Sequence, residues 1–321
     1  MAESFMGVPQ LPAARLADAV PSGDGGAAAR VAILGVPMAS PYRGAGAFAV
    51  RAPGAMRAAA AAWAGCEGHV NFDLGDGDGP GRMGWTPGAV VDCGDLTLDP
   101  ADGAGNRLSI RHAVADIVAA GVVPVVLGGD CSVVAPVLQG LEGRGRVAIL
   151  QIDAHLDWRE QIEGERWGLS SAMRRASEMG HVAAIVQVGG RGIGSARPAE
   201  LAAAQAWGAR IVPARDLARD GVAAALAGLP EGMAVHVALD LDSLDPATMP
   251  AVMAPAAGGL GYGQLLEILH AVVRRHPVAG LSITELAPDR DVQGQGVRLA
   301  AQLVTTALAL LAGPGDARAR P

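Results

Sequence analysis

Three short clusters of acids, an imidazole and a thiol stand where apolar runs of this chain end. Val147 to Asp157 reads VAILQIDAHLD and delivers Asp153, His155 and Asp157; residues 234–245 read AVHVALDLDSLD and deliver Asp240 and Asp242; GGDCS at Gly128 to Ser132 carries Cys131. Side chains two apart in an extended chain share a face, so each cluster can aim at one point. Two carboxylates and an imidazole meeting there suit a divalent ion of borderline softness (manganese, iron, cobalt, nickel or zinc) better than calcium. A single DxH or DxD arises often by chance; three such strand ends in one chain point to a shared centre. With at least four carboxylates, two ions bridged by shared acids fit the charge, and such a pair generates hydroxide at neutral pH.

The elements that position these groups alternate. Short apolar strands are expected at Val31–Leu34, Val90–Asp92, Val122–Leu127, Val147 onward, Ala184–Val188, Ile211–Val212, 234–240 and Gly280–Ile283, the last ending at Glu285. Helices are expected at 106–120, after GGDCS, at 170–179, 199–207, 214–227, 261–275 and 296–311. This persistent alternation predicts an α/β fold built on a parallel sheet covered on both faces, with functional groups gathered at the carboxyl ends of the strands. We expect one domain over residues 31–312, an irregular N-terminal arm over 1–30 containing PSGDGG, and a flexible tail over 313–321. The Gly-, Asp- and Pro-rich stretch 73–89 lacks the spacing of a calcium loop and reads as surface. Arg43, Arg51 and Arg57 either meet a substrate carboxylate or face water, the second being the default.

The chain has 321 residues, half of them apolar, with a formal charge of −7. That balance argues against a nucleic-acid partner and suits a small cationic substrate. Three cysteines, Cys66, Cys93 and Cys131, form no disulfide framework. No secretory signal and no uninterrupted apolar span is seen, so a cytoplasmic protein with no membrane partner is expected.

The motifs GGDCS, DAHLD and DLDSLDP, with the AGGL that follows, resemble those of the ureohydrolase family, which includes arginases, agmatinases and guanidino-acid amidinohydrolases. VQVGGRGI around Gly189, LGVP near residue 35 and LSITELAP with Glu285 extend the likeness over about 31–305. The resemblance implies a three-layer α/β/α fold with a central, mainly parallel eight-stranded sheet. It also implies two divalent metal ions, manganese by default, one held by position 131, Asp153, Asp157 and Asp240 and the other by Asp153, His155, Asp240 and Asp242. A bridging hydroxide would cleave a C–N bond of a guanidino substrate to urea and an amine. Asp157 would orient the hydroxide and Glu285 would pair with the guanidinium, unless it is only a strand-end structural acid. Homo-oligomers, trimers or hexamers, are usual in such proteins.

Two departures stand out. Cys131 occupies the position of the family's usual histidine; as a ligand it would shift preference toward zinc, cobalt or nickel, and otherwise it is an inert buried thiol. In RWGLSSAMRRASEM, Leu169 falls near an expected loop histidine, which leaves Ser170 and Ser171 as candidate substrate contacts. The SSAMRRA segment is nearer the agmatinase branch than true arginase. The competing expectation is a ureohydrolase-like protein that binds metal or a regulatory partner without hydrolysing anything.

Overall fold

Apolar runs bounded by glycine, proline or charge form the strands, in chain order β1 (Val31–Val36), β2 (Val70–Asn71), β3 (Gly81–Arg82), β4 (Val90–Asp95), β5 (Val123–Gly128), β6 (Val147–Ile152), β7 (Val182–Val188), β8 (Arg210–Val212), β9 (Ala234–Asp240) and β10 (Val278–Thr284). The structure is a computed structural model that describes residues 4–16, 29–66, 68–75, 81–82 and 84–313. Among these, eight strands form one parallel sheet in the order β4-β1-β5-β10-β9-β6-β7-β8, while β2 and β3 pair separately. The expected parallel sheet is therefore observed, and its four central strands are β5, β10, β9 and β6.

The helices are α1 (Ala52–Ala60), α2 (Gly103–Ala119), α3 (Val134–Gly140), α4 (Ala172–Ala176), α5 (Pro198–Trp207), α6 (Ala214–Asp220), α7 (Val222–Leu226), α8 (Tyr262–Arg275) and α9 (Gln295–Ala312). Alternating strand residues feed two separate cores. Val31 and Ile33 of β1 and Leu150 and Ile152 of β6 pack in one core with Met56 of α1, Leu265 of α8 and Leu303 of α9. Leu34 of β1 and Ile149 of β6 pack in the other with Ile110 of α2, Leu138 of α3 and Met173 of α4. Both faces of the sheet are thus covered, giving three layers. Each buried Leu or Ile side chain contributes about 1.5–3 kcal/mol.

Several expectations need correction. The single helix at 214–227 is two, because Gly221 breaks it in a left-handed conformation (φ 71°) that no residue inside a helix adopts. The helix at 170–179 is only Ala172–Ala176, preceded by a 3-10 turn at Leu169–Ser171. Within 73–89, read as surface, Asp73 accepts hydrogen bonds from Tyr262 Oη (2.6 Å) and Gln302 Nε2 (2.8 Å), and Trp85 is buried; 76–80 and 83 lie outside the described residues.

Of the N-terminal arm, residues 4–16 dock onto the sheet edge: Phe5, Met6 and Leu16 are buried and Phe5 N donates to Asp92 Oδ2 (2.8 Å). PSGDGG and the tail from residue 314 lie outside the described residues. Arg57 does not face water. Its Nε and Nη2 donate to the two oxygens of buried Asp92 (2.8 and 2.9 Å), and it also pairs with Asp95. Arg43 and Arg51 are exposed, near Glu163 and Asp289.

One helix among the described residues, α9, is long and apolar enough by length and composition to cross a membrane, where the sequence reading found no such span. Its Ala300, Leu303, Val304, Ala307 and Leu308 are buried in the core between sheet and helices.

Candidate metal centre

Because the sheet is parallel, β5, β10, β9 and β6 all end at one edge, and every candidate acid follows one of those ends. Cys131 stands three residues beyond β5, Asp153 directly after β6, Asp240 closes β9, and Glu285 directly follows β10. The turn after β5 needs its glycine: a Cβ on Gly129 would lie 1.8 Å from Met38 O, so the backbone passes with no room for a side chain.

Donor atoms of Cys131, Asp153 and Asp240 lie within 4.8 Å of one another, and so do those of Asp153, His155 and Asp242. Asp153 belongs to both groups. Cys131 Sγ sits 3.0 Å from Asp240 Oδ2 and 3.1 Å from Thr284 Oγ1. His155 Nδ1 is 3.0 Å from Asp242 Oδ2 and 3.5 Å from Asp153 Oδ1. The acids are pre-shaped by their own backbone: His155 N donates to Asp153 Oδ1 (2.6 Å), and Asp242 N donates to Asp240 Oδ1 (2.7 Å).

Asp157 falls outside both groups, although it is buried beside them and adopts a left-handed backbone (φ 54°). Glu285 does likewise (φ 69°), with Oε1 accepting from Cys131 N (2.8 Å). Non-glycine residues in that region cost about 1 kcal/mol or more, a strain that persists where surrounding structure imposes it.

The electrostatics describe a site short of positive charge. Burial, then the neighbouring carboxylates, pushes Asp240 well above the ordinary range; burial and Asp153 do the same to Asp157, and burial and Asp130 to Glu285. Burial and the carboxylates of Asp240 and Asp157 hold the Cys131 thiol far up as well. Burial pulls the His155 imidazole down, but hydrogen bonds and charge from Asp153 and Asp242 outweigh it and carry it to about 11. Five buried acids (Asp153, Asp157, Asp240, Asp242 and Glu285) around one imidazolium leave uncompensated charge, which cations neutralise. The donor set therefore fits divalent metal.

Ser170 and Ser171 separate. Ser170 Oγ is half-buried and 3.1 Å from Tyr42 Oη, whereas Ser171 is fully buried with no partner for its hydroxyl among the described residues. Leu169 N donates to Ser40 Oγ (2.7 Å), and Ser40 N in turn to Asp130 Oδ2 (2.5 Å), so Ser40 and Tyr42 tie the 168–170 turn to the loop after β1. His181 Nε2 meets Leu138 O (2.9 Å), a structural role.

Sequence reasoning passed over Gln151, Gln187, Thr284 and Arg191. The signal for the glutamines was a polar residue near the end of an otherwise apolar buried strand. Arg191 Nη2 donates to Asp242 O (2.7 Å), Ala256 O (2.8 Å) and Leu244 O (3.0 Å), clamping the loop that carries Asp242.

A model of the arginase family matches residues 29–310. The chain belongs to the arginase family. It is 32% identical over 230 residues to a mitochondrial agmatinase of Gallus gallus, covering 70% of this chain and 67% of that one. It is 35% identical over 187 residues to the N(1)-aminopropylagmatine ureohydrolase of Thermus thermophilus, covering 58% of this chain and 61% of the relative. Arginase from Medicago truncatula superposes with a TM-score of 0.73 at 27% identity, over 93% of this chain and 91% of that one. The expected ureohydrolase resemblance and the arginase-like three-layer α/β/α fold thus both hold. The matched part spans 61–67% of the first two relatives' length.

Proposed function

We propose that this member of the arginase family hydrolyses a C–N bond of a small cationic guanidino compound, releasing urea and an amine as an agmatinase-like enzyme. One observation carries the reading: the thiol, imidazole and acids of three separate strand ends converge into two donor groups sharing Asp153, at the centre of the sheet edge. Cys131, Asp153 and Asp240, with Asp157 beside them, would hold one ion; Asp153, His155 and Asp242, with Asp240, would hold the other. Manganese is the family's default ion, and the sulfur of Cys131 favours zinc, cobalt or nickel at the first position. Bound divalent ions supply positive charge against the buried acids and make hydroxide available near neutral pH.

The chain's own groups do the rest. Glu285, with Oε1 held by Cys131 N, presents its carboxylate to the substrate guanidinium, a charge-assisted pairing. Asp157 accepts a hydrogen bond from the attacking water and passes its protons to the departing amine. The water oxygen then ends in urea and both its protons on the amine, which balances the reaction. The turn 169–171 offers no titratable group for this task, and its Ser170 Oγ lies 3.1 Å from Tyr42 Oη.

The agmatinase and the aminopropylagmatine ureohydrolase among the relatives suggest a guanidinium on an aliphatic amine. The intact set of converging acids favours this reading over a catalytically silent protein. Protein reloaded with each metal is expected to release urea from one compound of a guanidino panel, and Glu285→Gln to lower that rate about 100-fold or more with metal content unchanged. An undiminished rate in Glu285→Gln would remove Glu285 from the reading.

A further inference from the structure

Two glutamines stand side by side in adjacent strands whose other residues are apolar. Gln151 is the last but one residue of β6, Gln187 the last but one of β7, and the two are register partners. Both are buried, at 2% and 3% exposure. A buried amide is costly unless its donors and acceptor are all met, and here they are met in one direction only.

Trp158 Nε1 donates to Gln187 Oε1 (2.6 Å). An indole N–H is a donor and never an acceptor, so it fixes which end of the Gln187 amide faces it. Gln187 Nε2 must then point away, and it donates to Leu156 O (2.8 Å) and to Gln151 Oε1. That contact fixes the second amide in turn: Gln151 Nε2 donates to Asp153 Oδ2 (2.6 Å) and reaches Asp157 Oδ2 (3.4 Å). Carboxylates that hold a cation are ionised and only accept. With a donor-only indole at one end and acceptor-only acids at the other, neither amide can flip without breaking bonds at both its ends. Trp158 is itself held, 2% exposed and tilted against Trp207 with ring centroids 6.2 Å apart.

We propose that Trp158, Gln187 and Gln151 form a positioning relay that fixes the orientation of the two β6 acids toward the metal centre; the proposal rests on the metal-centre reading above. Asp153, the acid common to both donor groups, has Oδ1 tied by His155 N and Oδ2 by Gln151, so each of its oxygens is held by one hydrogen bond. Among the described residues, Gln151 Nε2 is also the side-chain donor that reaches Asp157. Partners of metal ligands of this kind typically set metal affinity by about 10–100-fold.

The test is metal binding by the full chain, measured by equilibrium dialysis against manganese and against cobalt, in wild type, Gln151→Met and Trp158→Phe. Trp158→Phe touches neither carboxylate; it removes the indole N–H that sets the polarity, together with part of the ring packed against Trp207. Wild type is expected to take up two equivalents, Gln151→Met to bind about 10–100-fold more weakly, and Trp158→Phe to weaken in the same direction while keeping its circular dichroism spectrum. At saturating metal, kcat should fall in both variants with KM little changed. Equal metal affinity in all three proteins overturns the relay while leaving the metal centre intact. Failure of wild type itself to bind metal overturns the metal-centre reading instead.

Discussion

His236 lies in β9, the strand that delivers Asp240 and Asp242, and is fully buried with Nε2 3.1 Å from Ser282 Oγ on β10. Burial drives its imidazole down from 6.5 to about 3. A base held neutral in the fold contributes stability above its unfolded value and loses it as pH falls through 6.5 toward 3, because the unfolded chain takes up a proton that the folded one refuses. At pH 5 the folded ring is still neutral, so the loss is set by the unfolded value of about 6.5 and amounts to about 2 kcal/mol relative to pH 7. His236→Asn removes this titration while other acids and bases titrate as before. Urea unfolding of both proteins at pH 7 and pH 5, without metal, isolates the effect. The stability difference, wild type minus variant, is expected to shrink by about 2 kcal/mol between those pH values. A difference that stays constant would show that His236 is protonated, or hydrated, inside the sheet, and the argument from burial would fail.

Other perturbations bear on the site and its frame. Cobalt-loaded wild type should show a sulfur-to-cobalt charge-transfer band that Cys131→Ser lacks; a spectrum unchanged by that substitution would make Cys131 an inert buried thiol. Arg57→Met strands the buried Asp92 carboxylate and should cost about 3–5 kcal/mol in chemical unfolding, releasing the docked segment 4–16 with it; a loss below 1 kcal/mol would mean water reaches Asp92. Asp153→Ala, which removes the acid shared by both donor groups, should abolish binding of both ions, whereas Asp242→Ala should spare the one near Cys131. Sequential binding unaffected by Asp153→Ala would refute a shared centre.

Much of the site was legible because its chemistry is local in sequence. Asp153 and His155, or Asp240 and Asp242, announce themselves by spacing two apart at the end of an apolar run, and a parallel sheet then gathers the runs at one edge. What escaped was the long-range part. Nothing near Arg57 in sequence foretells Asp92, 35 residues away, so a default of solvation for an isolated arginine failed. The arm at 4–16 looked irregular because its order comes from docking on Asp92 and the core, not from its own periodicity. The helix at 214–227 carried its break in plain view at Gly221, and an Ala-rich stretch hid it. The sequence also placed Ser170 and Ser171 together as substrate contacts, while the 3-10 turn buries Ser171 and leaves only Ser170 toward Tyr42. The Gln151–Gln187 pairing required register, which only the assembled sheet supplies.

The most direct measurement of the central claim is urea release by purified protein, stripped and reloaded separately with manganese, cobalt, nickel and zinc, with bound metal counted in the same samples. The account predicts two equivalents of metal per chain and turnover of one guanidino compound, with agmatine and longer aliphatic guanidines the first candidates. No metal bound under any of the four conditions, with no urea from any substrate, would contradict it.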